Sequence, residues 1–97
     1  MIHFKLVTII CEPVLCSSLI STVQSLGASG FTISDVHGEG SGEKRSGEVP
    51  NEKTKIEVVV DVDVAKKLMD KIAESYFENY SLIVYASDIQ VIRQEKF

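Results

Sequence analysis

Two amphipathic stripes, each set between runs of β-favouring residues, restrict this chain to helices packed on a sheet. The more regular stripe is Val64, Ala65, Leu68, Met69, Ile72, Ala73, Tyr76 and Phe77, whose steps of one, three and four place them on one helical face. Lys66, Lys67, Asp70, Lys71 and Glu74 form the wet side, and Asp63 is placed to cap the first turn. The second stripe is Leu15, Cys16, Leu19, Ile20, Val23 and Leu26, opened by a Pro13 suited to a first helical turn and closed by Gly27. Ser17, Ser18, Ser21, Thr22 and Ser25 occupy its other side.

Four period-two or β-rich segments surround these helices. They are IHFKLVTIIC from Ile2 to Cys11, FTISDVHG after Gly30, TKIEVVVDV from Thr54 to Val62, and SLIVYASDIQVI from Ser81 to Ile92. The last residues, RQEKF, are expected to be frayed or lightly docked. The order is β-α-β-β-α-β, and right-handed crossovers put both helices on one face of an antiparallel sheet, an α+β ferredoxin-like sandwich. On the register read here, the other face carries Val7, Ile9, Val59, Ile83 and Tyr85. Such a face is too apolar for a monomer in water, so self-association is expected.

Composition narrows the function classes. Ninety-seven residues make one domain, 1–97, and 44% apolar with 25% charged residues is the balance of a folded soluble chain. Ten basic against fourteen acidic side chains leave a net charge of -4, which argues against a nucleic-acid partner, because that attraction comes from neutralising phosphates. No apolar run approaches the roughly 20 residues that span a bilayer, so a cytoplasmic protein without a signal peptide is expected. Cys11 and Cys16 match neither a redox pair nor a zinc knuckle and read as small buried hydrophobes. A soft-metal site joining them to His3 or His37 is the sharper alternative, and no metal is expected.

The chemistry is expected in HGEGSGEKRSGEVPNEK, which holds four of the six glycines, at 38, 40, 42 and 47, where a tight hairpin turn would have sufficed. Glycines let backbone N–H groups converge on an anion, and Lys44 and Arg45 add cations, with Arg45 able to grip a phosphate bidentately. A Walker loop is excluded, since Glu48-Val49 stands where Lys-Ser/Thr is required. A solvated hairpin extension explains the same composition. No catalytic residue is assigned: Asp61 and Asp63 suit a strand end and a helix cap, and no nucleophile elbow occurs. Tyr76, Phe77 and Tyr80 cover a core edge on the simplest reading, and Tyr80 could stack on a base.

Several short motifs, in order over nearly the whole chain, carry a resemblance. They are Gly27-Ala28-Ser29-Gly30-Phe31-Thr32, Gly38-Glu39-Gly40-Ser41, Arg45-Ser46-Gly47-Glu48, Tyr76-Phe77-Glu78-Asn79-Tyr80-Ser81 and a final Lys96-Phe97. Together they resemble the PII-like signalling proteins of the cyanobacterial SbtB type. The resemblance implies a homotrimer with a long T-loop, about residues 38–53, and adenine-nucleotide sites between neighbouring subunits. It implies AMP, cyclic AMP, ADP or ATP as effectors, no obligatory cofactor, and no enzymatic activity. It further implies control of a sodium-dependent bicarbonate transporter from the cytoplasm, with the protein reversibly peripheral to the inner membrane.

Carried onto this sequence, the resemblance puts Gly38, Glu39, Gly40 and Ser41 along the nucleotide and Arg45 on phosphate, with Ser34, Glu57, Tyr80 and Ser81 enclosing ribose or adenine. Gly42 stands where a second arginine often follows, and Glu43 adds negative charge, which should weaken polyphosphates more than a cyclic monophosphate. A C-terminal cysteine-pair extension is lacking, so redox control through it is not expected. Glu78-Asn79-Tyr80 replaces the glycine-lysine phosphate loop of nitrogen-control PII proteins, which disfavours 2-oxoglutarate sensing for glutamine synthetase. A trimeric metal-binding or stress protein of the CutA sort shares the architecture and is the competing reading, with a slow nucleotide hydrolase third.

Overall fold

The computed structural model describes residues 2–40 and 51–97. It contains strands β1 (Ile2–Cys11), β2 (Thr32–Gly38), β3 (Asn51–Val60) and β4 (Ile83–Val91), and helices α1 (Cys16–Ser25) and α2 (Val62–Tyr76). Single helical turns precede α1 at Pro13–Leu15 and close the chain at Gln94–Lys96. The sheet order is β2-β3-β1-β4 with every neighbouring pair antiparallel, which is the ferredoxin-like arrangement expected from the element order.

One apolar cluster holds the layers together. Val7, Ile9 and Cys11 of β1, Ile56, Val58 and Val60 of β3, Leu15, Leu19 and Val23 at α1, and Ala65, Leu68, Ile72 and Tyr76 of α2 are all buried in it. Full burial of each large aliphatic side chain contributes roughly 1.5–3 kcal/mol. Tyr76 keeps its hydroxyl satisfied inside this layer by a hydrogen bond with the Ser18 hydroxyl. Gly27 ends the α1 segment at φ 89°, a left-handed conformation that glycine adopts without a Cβ penalty.

The structure corrects the face assignment of β1. Val7 and Ile9, expected outside, are both fully buried beneath the helices. Val59, Ile83 and Tyr85 do lie on the open face, and their ladder partners there are Leu6, Ile10 and Thr8. Both parities of β1 are apolar in this stretch, so periodicity could not orient the strand; pairing decides it, because Val7 sits opposite Val58 and Leu6 opposite Val59.

Smaller differences have local causes. The cap of α2 is Asp61, whose carboxylate accepts from the Val64 N–H at 2.8 Å, whereas Asp63 lies inside the first turn. β3 begins at Asn51, three residues before the expected Thr54, because the β2 ladder continues through Val36↔Lys53, His37↔Glu52 and Gly38↔Asn51 despite the polar side chains. Residues 51–53, counted in the expected T-loop, are therefore strand. Phe77, placed on the core stripe, is 52% exposed because α2 ends at Tyr76. At the C terminus Phe97 meets the ring of Phe4 edge-on, with centroids 6.0 Å apart, and the Ser29 hydroxyl reaches the Lys96 and Phe97 carbonyls.

Candidate functional site

The open sheet face is built from side-by-side rows. Thr32, Glu57, Thr8 and Tyr85 lie across all four strands in one row, and Ser34, Lys55, Ile10 and Ile83 in the next. Row-mates stand about 5 Å apart and successive rows about 7 Å; both rows are polar at β2 and β3, and the second turns aliphatic at Ile10 and Ile83 while the first keeps Thr8 beside Tyr85.

Beyond the second row, where β2 and β3 converge on the connection between them, lies an open hollow of about 380 Å³. Its lining includes Ile10, Val36, Ile83 and Tyr85 as an apolar part, the backbone-rich Gly38, Glu39 and Gly40, and the cations Lys53 and Lys55. Ser81 completes the wall from the segment before β4. Lys53 is only 7% exposed. Two ammonium groups at i and i+2 on β3 share one face, so their charges add at the same place. An apolar floor beside cations and glycine backbone is the arrangement that takes a flat ring at one end and an anion at the other.

A second cleft, of about 320 Å³, lies at the other end of β2. It is lined by Leu6, Gly30, Phe31, Thr32, Glu57, Val59, Lys96 and Phe97. The expected site residues are thus divided. Gly38, Glu39, Gly40 and Ser81 come together in the hollow, while Glu57 looks into the cleft. Ser34 is half-buried in the row beside the hollow, opposite Lys55. Tyr80 lines neither: it is 48% exposed, its ring lies 5.8 Å from that of Tyr76, and its N–H donates to the Tyr76 carbonyl at 2.9 Å. Ser41, Gly42, Glu43, Lys44, Arg45 and Gly47 lie outside the described residues.

Lys53 and Lys55 line the hollow without having been singled out from sequence, whereas Tyr85 was expected on this face and His37 was considered only as a metal ligand. The alternation Lys53-Thr54-Lys55-Ile56-Glu57 does carry the signal, since it sends three charged side chains to one face while Thr54 and Ile56 go inside. It was masked by reading Lys53 as loop.

The cysteines behave as core residues. Cys11 is fully buried and Cys16 half-buried. Burial, reinforced by the neighbouring Cys16 and Glu12 and opposed by Lys53, pushes the Cys11 thiol up to about 11. Among the described residues no group of three or more His, Cys, Asp and Glu could hold a metal ion. At the far end of the sheet Lys5 pairs with Asp88, and this hydrogen bond and charge, with a smaller contribution from His3, hold the Asp88 carboxyl below its ordinary range. No helix among the described residues is long and apolar enough to cross a membrane.

The comparisons agree with this architecture. The family model for nitrogen regulatory protein P-II matches residues 4–96. A protein of Thermus thermophilus described as a PII-like signalling protein is 36% identical, with 99% of this chain and 96% of that one covered and a TM-score of 0.84. CPII from Thiomonas intermedia, in a structure bound to ADP and bicarbonate, is 26% identical over 99% of this chain and 95% of that one, with a TM-score of 0.87. The same protein bound to ADP, AMP and acetate gives 26% identity over 98% and 94%, with a TM-score of 0.84. This ancestry disfavours the CutA reading, and the matched span, which takes in both helices and all four strands, makes the chain a member of the P-II family of signalling proteins.

Proposed function

We propose that this protein senses adenine nucleotides at sites completed between identical subunits of a homotrimer and reports their occupancy through the connection between β2 and β3. The observation that carries the reading is the hollow in which Gly38, Glu39 and Gly40 meet Lys53 and Lys55 over Ile10, Ile83 and Tyr85. Phosphate would lie against the lysines and glycine N–H groups, and an apolar ring face against the aliphatic floor. The binding of ADP and AMP by CPII supports the ligand class.

Completion between subunits is supported by the separation of Glu57 from the glycine run on the open face. A second copy laid over that face would bring one chain's Glu57 cleft toward another's hollow while removing Ile83, Tyr85 and Val59 from water. In this reading Ser34, Gly38, Glu39, Gly40, Ser41, Arg45, Glu57, Tyr80 and Ser81 remain the nucleotide-binding set, with Lys53 and Lys55 added. The client is a membrane bicarbonate transporter of the kind regulated by SbtB-type proteins, engaged through residues 38–53 from the cytoplasmic side. Occupancy selects among conformations of that segment, and only some fit the client.

Calorimetry with ADP, AMP, cyclic AMP and ATP tests the sensor, and sedimentation of the same sample tests the trimer. Saturable heat with at least one nucleotide and a mass of three chains is expected. A silent titration with all four, or a protein that sediments as a lone chain, would remove the reading.

A further inference from the structure

The helical layer stops short of the β2 edge. Ile33 and Asp35 stand on the side of the sheet that the helices cover, opposite Ile56 and Thr54 of β3. Ile56 and Thr54 are buried, yet Ile33 is 43% exposed and Asp35 lies in water. Next along this bare strip, where β1 turns into α1, is a cleft of about 450 Å³. Glu12, Pro13 and Val14 line it from the turn, and Asn51, Glu52 and Lys53 from the start of β3. Glu52 has the parity of Thr54, so this cleft belongs to the helix side, with the hollow on the opposite face.

Val14 is 80% exposed, which leaves an aliphatic side chain in water beside the Pro13 ring. The exposed acids around it are Glu12, Glu52 and, on the strip, Asp35. Among the described residues no ion pair or hydrogen bond engages the Glu12 or Glu52 carboxylate. Lys53, the lysine of the lining, is buried and lines the hollow as well. An exposed aliphatic centre with carboxylates at its rim is complementary to a segment that sets an apolar residue between cations. Other occupants are disfavoured. A second copy meeting this cleft about a twofold axis would oppose carboxylate to carboxylate, and a nucleotide or an anionic lipid surface would add negative charge to negative.

We propose that this cleft is a docking surface for a basic segment of a partner protein. An aliphatic side chain of the segment lies against Val14 and Pro13, and its lysines or arginines stand beside Glu12 and Glu52. The surface includes residues 51–53, where the connection between β2 and β3 rejoins the sheet. It is on the side away from the apolar open face, so association through that face leaves it accessible. It does not require a nucleotide in the hollow. Covering Val14 supplies most of the affinity, because exposed charge pairs contribute little each; their part is to select the sign of the partner.

Fluorescence anisotropy with labelled peptides is the test. One peptide alternates leucine with arginine and lysine, a second has serine for each leucine, and a third has glutamate for each cation. The first should bind saturably and the other two at least about fivefold more weakly. Val14→Ser should weaken the first peptide about fivefold, and Glu12→Gln with Glu52→Gln together about fivefold. Asp70→Asn with Glu74→Gln removes the same charge from the exposed side of α2 and should leave binding unchanged. All five side chains are exposed, so each variant should melt close to wild type. The proposal is overturned by no saturable binding of the first peptide, equal binding of the glutamate peptide, an unmoved affinity in Val14→Ser, or equal losses from the α2 pair and the cleft pair. None of these outcomes bears on the nucleotide calorimetry, which tests the hollow separately.

Discussion

Ile9 and Ile10 are the same residue type, adjacent in one strand, and they live in different surroundings. Ile9 is fully buried under α1 and α2, whereas Ile10 is half-buried on the open face at the hollow. The covered face is closed by the chain's own helices and therefore serves folding. The open face carries Leu6, Ile10, Val59, Ile83 and Tyr85 with neither helix over them, the C-terminal Lys96 and Phe97 reaching it only at the cleft beside Leu6 and Val59, and next to them lie the polar groups of the hollow and the cleft. The contrast teaches that apolar content in this sheet has two settings, one closed by the subunit's own helices and the other left open, where the proposed association and nucleotide binding would use it.

Substitutions on either side can break that contrast. The largest effect is expected from Ile9→Ala, which should lower unfolding free energy by about 2–5 kcal/mol in urea denaturation, while Ile10→Ala should cost less than half of that. Equal losses would mean the two faces are not energetically distinct. Next, Ile83→Glu should leave the far-ultraviolet circular dichroism unchanged and shift sedimentation toward single chains, because it places a charge where a second copy must exclude water, at about 2 kcal/mol or more per site. An unchanged mass would show that this face is not the association surface.

A smaller effect separates the faces by pH. Because burial keeps the Cys11 thiol protonated up to about 11, against about 9 when exposed, the unfolded chain loses its proton first. Stability should therefore fall as pH rises from about 9 to about 11, by about 1 kcal/mol per pH unit, and be independent of this thiol below that window. Cys11→Ala should remove the slope, as measured by thermal melts at each pH. The smallest effect is expected on the open face: Lys55→Gln should weaken ADP about fivefold in calorimetry without altering the melting of the free protein. A fivefold loss accompanied by a large drop in melting temperature would reassign Lys55 to structure.

Much of this fold was legible in the residues because the signals were local. The stripe from Val64 to Tyr76 and the alternation through β1 each report an element without reference to any other. The orientation of β1 was not legible, since Leu6, Val7, Ile9 and Ile10 satisfy either parity, and only the pairing of Val7 with Val58 settles which side meets the helices. Of the candidate set, Gly38, Glu39, Gly40 and Ser81 are named by the motifs, and they line one hollow. Lys53 reads as loop because it ends a polar run near a long connection, although the ladder with β2 holds it as strand; Lys55 falls in the expected strand, and only its register opposite Ser34 and Ile10 brings it to the hollow.

Periodicity, capping residues and the breaks at Pro13 and Gly27 were enough to dictate the β-α-β-β-α-β order, because each depends on backbone geometry within a few residues. Which side of the sheet is covered, and the gathering of His37, Lys53, Ile10 and Ser81 around one hollow with Glu57 turned to another, emerged only from the assembled sheet. Cross-strand register joins residues far apart in the chain, and a slip of a single residue would have exchanged every inside position for an outside one.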